Sequence, residues 1–149
     1  MLDETAPKPR LGALLDDLQS AWRANLRAAL EHRNVPQLGA AADLLAQLSL
    51  AGISQSLLPE RVGTTKQAVQ QSLDQLEKLG LVRRDADPVD LRAKYVVLTE
   101  AGLHALEARR AAERDVERSW QEALGRKDFA RLRKGLRKAG RQVAGSGAD

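Results

Sequence analysis

The stretch between Ile53 and Leu98 restricts the choice of folds more than any other part of this chain. It predicts, in order, a helix, a tight turn, a longer helix, a strand, a charged loop and a second strand. The longer helix begins at Thr65, a residue type that caps helix N-termini, and stops at Gly80, which suits a helix C-terminus. Its apolar residues recur every three or four positions and so form one stripe: Val69, Leu73, Leu76 and Leu79.

The opposite face of this helix is polar but contains no acid in its first two turns. It carries, in order, Lys66, Gln67, Gln70, Gln71 and then Asp74. A glutamine amide can both donate to and accept from an adenine edge, and a lysine can reach a phosphate or a guanine. Considered alone, the helix fits a base-reading surface and an ordinary solvated face equally well.

Two short runs after Gly80 predict a pair of strands, the first from Leu81 to Arg84 and the second from Tyr95 to Leu98. The loop between them holds three aspartates, a proline and two basic residues. A hairpin with a charged tip beside a polar helix is a winged helix-turn-helix. In that arrangement the helix enters the major groove, and the wing places a cation on the DNA backbone or in the minor groove.

Three motifs in this stretch, LEKLGLVRR, DPVDLRA and LTEAG, stand in an order and spacing that resembles the MarR family of bacterial winged-helix regulators. The resemblance extends to the flanking helices, over roughly residues 11–142. It implies an obligate homodimer and a ligand-responsive transcription factor, with Arg92 as the wing-tip residue that reaches the minor groove. It also implies that Asp90 is the wing acid that holds this arginine, and that Gln70 and Gln71 lie where family members read bases.

Pro59 departs from the pattern of that family, which usually has alanine in the first helix of the motif. A proline inside a helix removes a hydrogen bond and clashes with the preceding turn. Two geometries avoid this clash. The helix begins late, with Pro59 in its first turn, or Ser54 caps a distorted helix.

Composition favours a soluble helical protein. The chain has 149 residues, 43% hydrophobic and 30% charged, which is enough for one domain with a core. Aromatic residues make up only 3%, so leucine, alanine and valine must build the core. The net charge of +4 is compatible with a polyanionic partner. There is no cysteine, which excludes disulfides, thiol redox sensing and thiolate metal sites.

Apolar periodicity predicts four further helices around the motif. The first runs from Leu11 to about Asn34, and the second from about Gln37 to Ala51. Thr99 caps a third helix of about 25 residues, which Gly125 breaks, and Asp128 caps the last.

The predicted fold class is therefore mainly α with a small β-hairpin wing, a winged helix-turn-helix core flanked by long dimerisation helices. We expect a single domain over residues 10–142. Dimerisation helices occupy 10–35 and 99–142, a DNA-binding lobe occupies 37–98, and flexible tails occupy 1–9 and 143–149.

The sequence contains no catalytic or metal-binding motif. Its two histidines, His32 and His104, lie on separate predicted helices, and HExxH, GxSxG and a glycine-rich phosphate loop are absent. We therefore expect no enzymatic activity, no metal site and no cofactor. Neither a membrane-spanning apolar run nor a signal-peptide pattern is present, so we expect a cytoplasmic protein without membrane contact.

An effector site follows from the resemblance alone, since MarR-like proteins bind ligands between the dimerisation helices and the DNA-binding lobe. Trp22, His32 and Trp120 are the candidates for such a cleft. The alternative is that both tryptophans only pack in the core or at the dimer interface. The residues do not identify a ligand.

These observations predict a sequence-specific transcriptional regulator, a homodimeric repressor that binds a pseudo-palindromic operator in double-stranded DNA and is released by a small-molecule effector. A repressor without an effector, and a winged-helix protein-interaction module without specific DNA binding, are the alternatives. The predicted phosphate contacts are Lys66, Arg83, Arg84 and Lys94. The candidate base readers are Gln67, Gln70 and Gln71, beside the capping Thr65 and the wing residues Asp90 and Arg92.

Overall fold

The computed structural model describes residues 8–143, which fold into helices and one small antiparallel sheet. The mainly α fold with a wing is confirmed. The helices are α1 (Leu11–His32), α2 (Ala41–Ala46), α3 (Leu58–Val62), α4 (Lys66–Lys78), α5 (Glu100–Leu124) and α6 (Arg126–Val143). The strands are β1 (Ile53–Ser54), β2 (Val82–Ala86) and β3 (Lys94–Leu98), and a 3-10 turn, Gln55–Leu57, leads into α3.

The described chain forms two compact units. One comprises the chain before residue 27 together with the chain from residue 113 onwards, and the other comprises residues 27–112. The predicted single domain and its internal boundaries stay a prediction. Most of the predicted tails, residues 1–7 and 144–149, lie outside the described residues.

The core of the 27–112 unit is built from aliphatic side chains of α2, α4 and the sheet. Leu45, Leu73, Leu76 and Val96 are completely buried. The expected aliphatic stripe on α4 is confirmed at Val69, Leu73 and Leu76, but Leu79 is 45% exposed. Leu79 is the C-terminal cap of the helix, so it lies beyond the last turn that faces the core.

The ends of α4 follow from local chemistry. The hydroxyl of Thr65 accepts a hydrogen bond from the amide of Ala68 at 3.1 Å, which satisfies one otherwise unpaired N–H of the first turn. Gly80 has φ 71°, a left-handed conformation that ends the helix and that glycine adopts without strain. Both sequence predictions for this helix are confirmed.

Pro59 is tolerated because α3 begins late. The helix starts at Leu58, so the proline lies in its first turn, where its missing N–H has no partner to lose. The first of the two expected geometries is therefore confirmed. Ser54 belongs instead to β1, which pairs with β3 through Ile53 and Val96. The expected two-stranded hairpin is thus a three-stranded sheet of order β1-β3-β2.

Two flanking helices differ from their predicted bounds. The helix expected from about Gln37 to Ala51 contains only the six residues of α2. Turns and irregular chain occupy the remainder, and the positive φ of Gly39, just before α2, prevents a helix from continuing through from Gln37. Asp128 does not cap α6, since that helix already begins at Arg126, and its carboxylate instead pairs with Arg131 at 3.1 Å. No helix within residues 8–143 combines the length and apolarity needed to cross a membrane.

Gly102 allows the first turn of α5 to approach the end of α4. Thr99 caps α5 by accepting from the amide of Gly102 at 3.0 Å, and its own hydroxyl donates to the carbonyl of Gly80 at 2.7 Å. A Cβ on Gly102 would lie 2.0 Å from the carbonyl oxygen of Leu81. This contact involves backbone, so a side chain here cannot be accommodated by rotation of a neighbour.

Gly102→Ala is therefore expected to destabilise the fold by about 2–3 kcal/mol, the upper part of the range for an overpacked core. Urea unfolding of both proteins measures this difference. The control is Gly135→Ala, at a helical position where an added Cβ meets no atom within 4 Å. A Gly102→Ala midpoint equal to that of the parent protein would contradict the packing described here.

Candidate nucleic-acid interface

Three polar side chains on the exposed face of α4 are accessible to a binding partner. Lys66, Gln67 and Gln71 are all exposed. They project from the first two turns, next to the N-terminus that Thr65 caps, and no acidic residue lies among them. The base-reading prediction for Gln67 and Gln71 therefore keeps its geometric basis.

Gln70, the third predicted base reader, has a different environment. It is only partly exposed, and both ends of its amide are occupied. Its Nε2 donates to Asp74 at 2.9 Å, and its Oε1 accepts from Nε2 of Gln55 at 2.9 Å. Its side chain is held by protein groups, so it is less available to a base than Gln67 or Gln71.

Arg84 is not placed as the phosphate contact that the sequence predicted. Its Nη2 donates to Asp74 at 2.7 Å and to Glu77, and its Nε donates to Glu77 at 3.1 Å. The side chain is only 11% exposed. Its hydrogen bonds lower the pKa of Glu77, and Glu77 in turn raises the pKa of Arg84. This pairing therefore stabilises the fold above the pKa of an unfolded glutamate, and the stabilisation is lost as pH falls through the lower folded-state pKa.

Asp87 organises the wing tip, a role that the sequence analysis missed. Asp87 is only 6% exposed, and its carboxylate accepts hydrogen bonds from the amides of Val89 and Asp90 at 2.9 and 3.2 Å. These backbone hydrogen bonds, together with a side-chain hydrogen bond from Ser54, lower the pKa of Asp87. The sequence signal was an aspartate directly before Pro88 in the loop. An aspartate in such a position can accept hydrogen bonds from the amides two and three residues ahead and so initiate a turn.

Asp90 orders the same loop through the backbone. Its carboxylate accepts from the amide of Arg92 at 3.0 Å, and its carbonyl accepts from the amide of Ala93 at 2.9 Å. The resemblance implied that Asp90 holds Arg92. In this structure the contact is with the main chain of Arg92, and the arginine side chain is exposed.

Asp87→Ala is expected to loosen the wing tip, because the amides of Val89 and Asp90 lose their acceptor. Amide hydrogen exchange at these two positions should rise in the variant while exchange in α4 stays unchanged. Asp87→Asn is the matched control, since its side-chain oxygen can still accept both bonds. Lowering the pH through the reduced pKa of Asp87 should have the same effect on the parent protein as the alanine substitution. Unchanged exchange in Asp87→Ala would exclude this role.

A groove of about 300 Å³ lies between α4 and the wing. Lys66 lines it from the helix side and Lys94 from the hairpin side. Arg83 lies on the same hairpin and is 61% exposed, with only its Nε engaged by Asp85. These three predicted phosphate-contacting cations are therefore accessible, and two of them, Lys66 and Lys94, line the groove beside the polar face of α4.

The other unit contains an apolar cavity of about 490 Å³. Trp22 and Trp120 line it and contact each other edge to face, with ring centroids 5.4 Å apart. Its remaining lining residues are Leu15, Asp16, Leu18, Gln19 and Leu136. His32 does not line it and is exposed at the last residue of α1, so the structure does not group the three predicted ligand residues. Within residues 8–143 no cluster of histidines and carboxylates is arranged to hold a metal ion.

Comparison with known proteins agrees with this geometry. Residues 38–93, which contain α2, α3, α4 and most of the wing, match the MarR family. The transcriptional regulator HosA of Escherichia coli O111:H- is 42% identical over 57 residues. That alignment covers 38% of this chain and 42% of HosA, so the chain matches less than half the length of this relative.

Solved structures share the fold along nearly the whole chain. The transcriptional repressor CouR, solved bound to a 23-mer DNA duplex, has a TM-score of 0.72 and 22% identity, and the match covers 94% of this chain and 99% of CouR. The Rv2887 protein of Mycobacterium tuberculosis, solved in complex with p-aminosalicylic acid, has a TM-score of 0.65 and 24% identity. That match covers 89% of this chain and 99% of Rv2887.

Proposed function

We propose that this chain, whose winged-helix segment matches the MarR family, is a sequence-specific, DNA-binding transcriptional regulator. The observation that carries the proposal is the exposed face of the first two turns of α4, which contains no acid and lies beside a wing with accessible cations. Lys66, Gln67 and Gln71 form that face, and Lys94 lies across the groove from it. This combination suits a major groove, which offers hydrogen-bonding base edges between two rows of phosphates.

Each exposed side chain has a distinct part in the proposed complex. Lys66, Arg83 and Lys94 contact phosphates, which makes binding steeply dependent on salt. Gln67 and Gln71 read base edges in the major groove. Arg92 enters the minor groove, where a narrow A·T-rich sequence strengthens the attraction for its charge. Arg84 is left out of this set, because two carboxylates already engage its guanidinium.

The active form is a homodimer held by the unit that contains α6. Large apolar side chains remain substantially exposed there in a single chain, between 44% and 71% of their surface. They are Leu11, Leu14, Leu15, Leu124, Leu136 and Val143. A surface of this kind marks an interaction site in a soluble protein. A two-fold dimer presents two reading helices about 34 Å apart, and so recognises a pseudo-palindrome.

The regulator acts as a repressor in the cytoplasm and is released by a small molecule. CouR is itself a transcriptional repressor, and Rv2887 has been solved with a small aromatic acid bound. The apolar cavity at Trp22 and Trp120 has the size and lining of a small-molecule site. An effector that favours one arrangement of the two subunits would change the separation of the reading helices and release the DNA.

Selection from a library of random-sequence DNA duplexes tests the proposal. The purified protein should enrich a pseudo-palindrome whose half-sites lie about one helical turn apart. Enrichment of a single half-site would contradict the dimeric mode of binding. If no sequence is enriched over the starting library, sequence-specific DNA binding is contradicted, and a protein-interaction module becomes the better explanation.

A further inference from the structure

We propose that five polar side chains act as a positioning network that fixes the reading helix α4 relative to the wing, and that sequence discrimination depends on it. The network comprises Gln55, Gln70, Asp74, Glu77 and Arg84. This inference rests on the proposed DNA-binding function. It gives Gln70 and Arg84 a role different from direct contact with DNA.

The network connects three elements of the motif without a gap. Gln55, in the 3-10 turn before α3, donates to Gln70 on α4 at 2.9 Å. Gln70 donates to Asp74, one turn later on the same helix, at 2.9 Å. The same Asp74 oxygen accepts from Arg84 of β2 at 2.7 Å. Arg84 also donates to Glu77, so one guanidinium joins two successive turns of α4 to the wing strand.

No nitrogen of Arg84 is left for a phosphate. Its Nε and Nη2 are engaged by carboxylates, and its Nη1 is buried. A phosphate would have to displace Asp74 or Glu77 to reach it. Since a guanidinium that donates to two carboxylates is held in a fixed plane, the geometry makes Arg84 a clamp between strand and helix.

Hydrogen-bond satisfaction alone does not explain this arrangement. Within residues 8–143, Nη1 of Arg84 and Oε1 of Gln55 are buried without a hydrogen-bond partner. Each such group costs about 1–3 kcal/mol of desolvation. Apolar residues of similar size often replace partly buried ionic groups at no loss of stability. The presence of five polar groups here is better explained by a requirement for one defined geometry.

Arg84 is well placed to set the wing position. It lies in the middle of β2, opposite Val96 of β3, and the wing tip with Arg92 extends from these two strands. Gln67 and Gln71 lie on the same helix as Asp74 and Glu77. A shift of β2 and β3 relative to α4 would therefore change the position of Arg92 in the minor groove relative to Gln67 and Gln71 in the major groove.

The test is Glu77→Gln, assayed by the enrichment profile of a random duplex library and by affinity for the parent's preferred duplex and for a shuffled duplex. The positioning role predicts that preference weakens at base pairs throughout the half-site, under both helix and wing. The ratio of the two affinities should fall about tenfold, the effect of one mismatched base pair. Affinity for the shuffled duplex should be unchanged or higher, because a negative charge has been removed.

Three variants separate positioning from charge and from direct reading. Glu60→Gln removes one exposed carboxylate of α3 outside the network and should leave the profile unchanged. Gln71→Ala, at a proposed direct reader, should relax preference at a single base pair. Arg84→Lys keeps the positive charge but lacks the planar donors, so it should reproduce the Glu77→Gln profile. If Arg84 were a simple phosphate contact, the lysine would preserve the parent profile.

The outcomes distinguish the two proposals. If the parent protein enriches no sequence, the proposed function itself fails. If the parent discriminates and Glu77→Gln shows the same profile and affinity ratio, the network is overturned. Circular dichroism confirms that each variant is folded. Asp74→Asn, at a carboxylate that is 55% exposed, provides the same test if Glu77→Gln does not fold.

Discussion

Leu15→Glu is expected to convert the proposed dimer into a folded monomer and to lower affinity for the preferred duplex about a hundredfold or more. Leu15 is 46% exposed in a single chain and lines the apolar cavity beside Trp22. A glutamate is tolerated there in the monomer, but it would be buried without a partner against a second subunit, at a cost of several kcal/mol. Loss of the linked second half-site removes the avidity of two-site binding, which is worth a factor of about 10²–10⁴.

Sedimentation and duplex titration measure the two effects separately. The control is Leu57→Glu, which adds the same charge at an exposed leucine of the other unit, 51% accessible, and should leave the dimer intact. A Leu15→Glu protein that stays dimeric would contradict the assignment of this apolar surface. A monomer that retains the parent affinity would contradict the two-site mode of recognition.

Arg92→Ala should weaken binding to the preferred duplex at least tenfold, about 1.4 kcal/mol, and leave the dimer intact. Arg92 is exposed at the wing tip, where Asp87 and Asp90 order the main chain around it. The substitution removes the charge that would lie in the minor groove while preserving the backbone bonds of the loop. The loss should be greatest for duplexes with A·T-rich flanks, since their narrow minor groove attracts an arginine most strongly.

Leu91→Ala is the matched control for the wing. Leu91 is adjacent to Arg92, 82% exposed and uncharged, so its truncation should change affinity little. Titrations at several salt concentrations should also show a slope smaller by about one for Arg92→Ala. An Arg92→Ala affinity equal to that of the parent would remove the wing from the recognition mechanism.

The parts of this fold that follow local rules could be predicted from the sequence. Thr65 and Thr99 mark helix starts because a side-chain cap needs only the next few residues. The left-handed Gly80 and Gly125 mark helix ends for a similarly local reason. The late start of α3 was one of the two geometries that the fixed φ and missing N–H of Pro59 left open, and the sequence did not choose between them.

The remaining features depend on pairing across the fold, which periodicity cannot show. Arg84 lies beside an exposed arginine in the sequence, and nothing local distinguishes the two. The antiparallel register and the packing of α4 on β2 decide that Arg84 meets Asp74 and Glu77 while Arg83 faces solvent. The occupied amide of Gln70 likewise depends on Gln55, fifteen residues earlier. β1 escaped prediction because a two-residue strand has no alternation to detect.

Recognition of base sequence by the exposed face of α4 can be tested by a binding titration. Purified protein would be titrated with the DNA upstream of its own gene and with a scrambled duplex of equal length and composition, each at two salt concentrations. We expect tight binding to the upstream DNA, much weaker binding to the scramble, and a steep loss of affinity with salt for both. The absence of binding to either duplex at the lower salt concentration would contradict it.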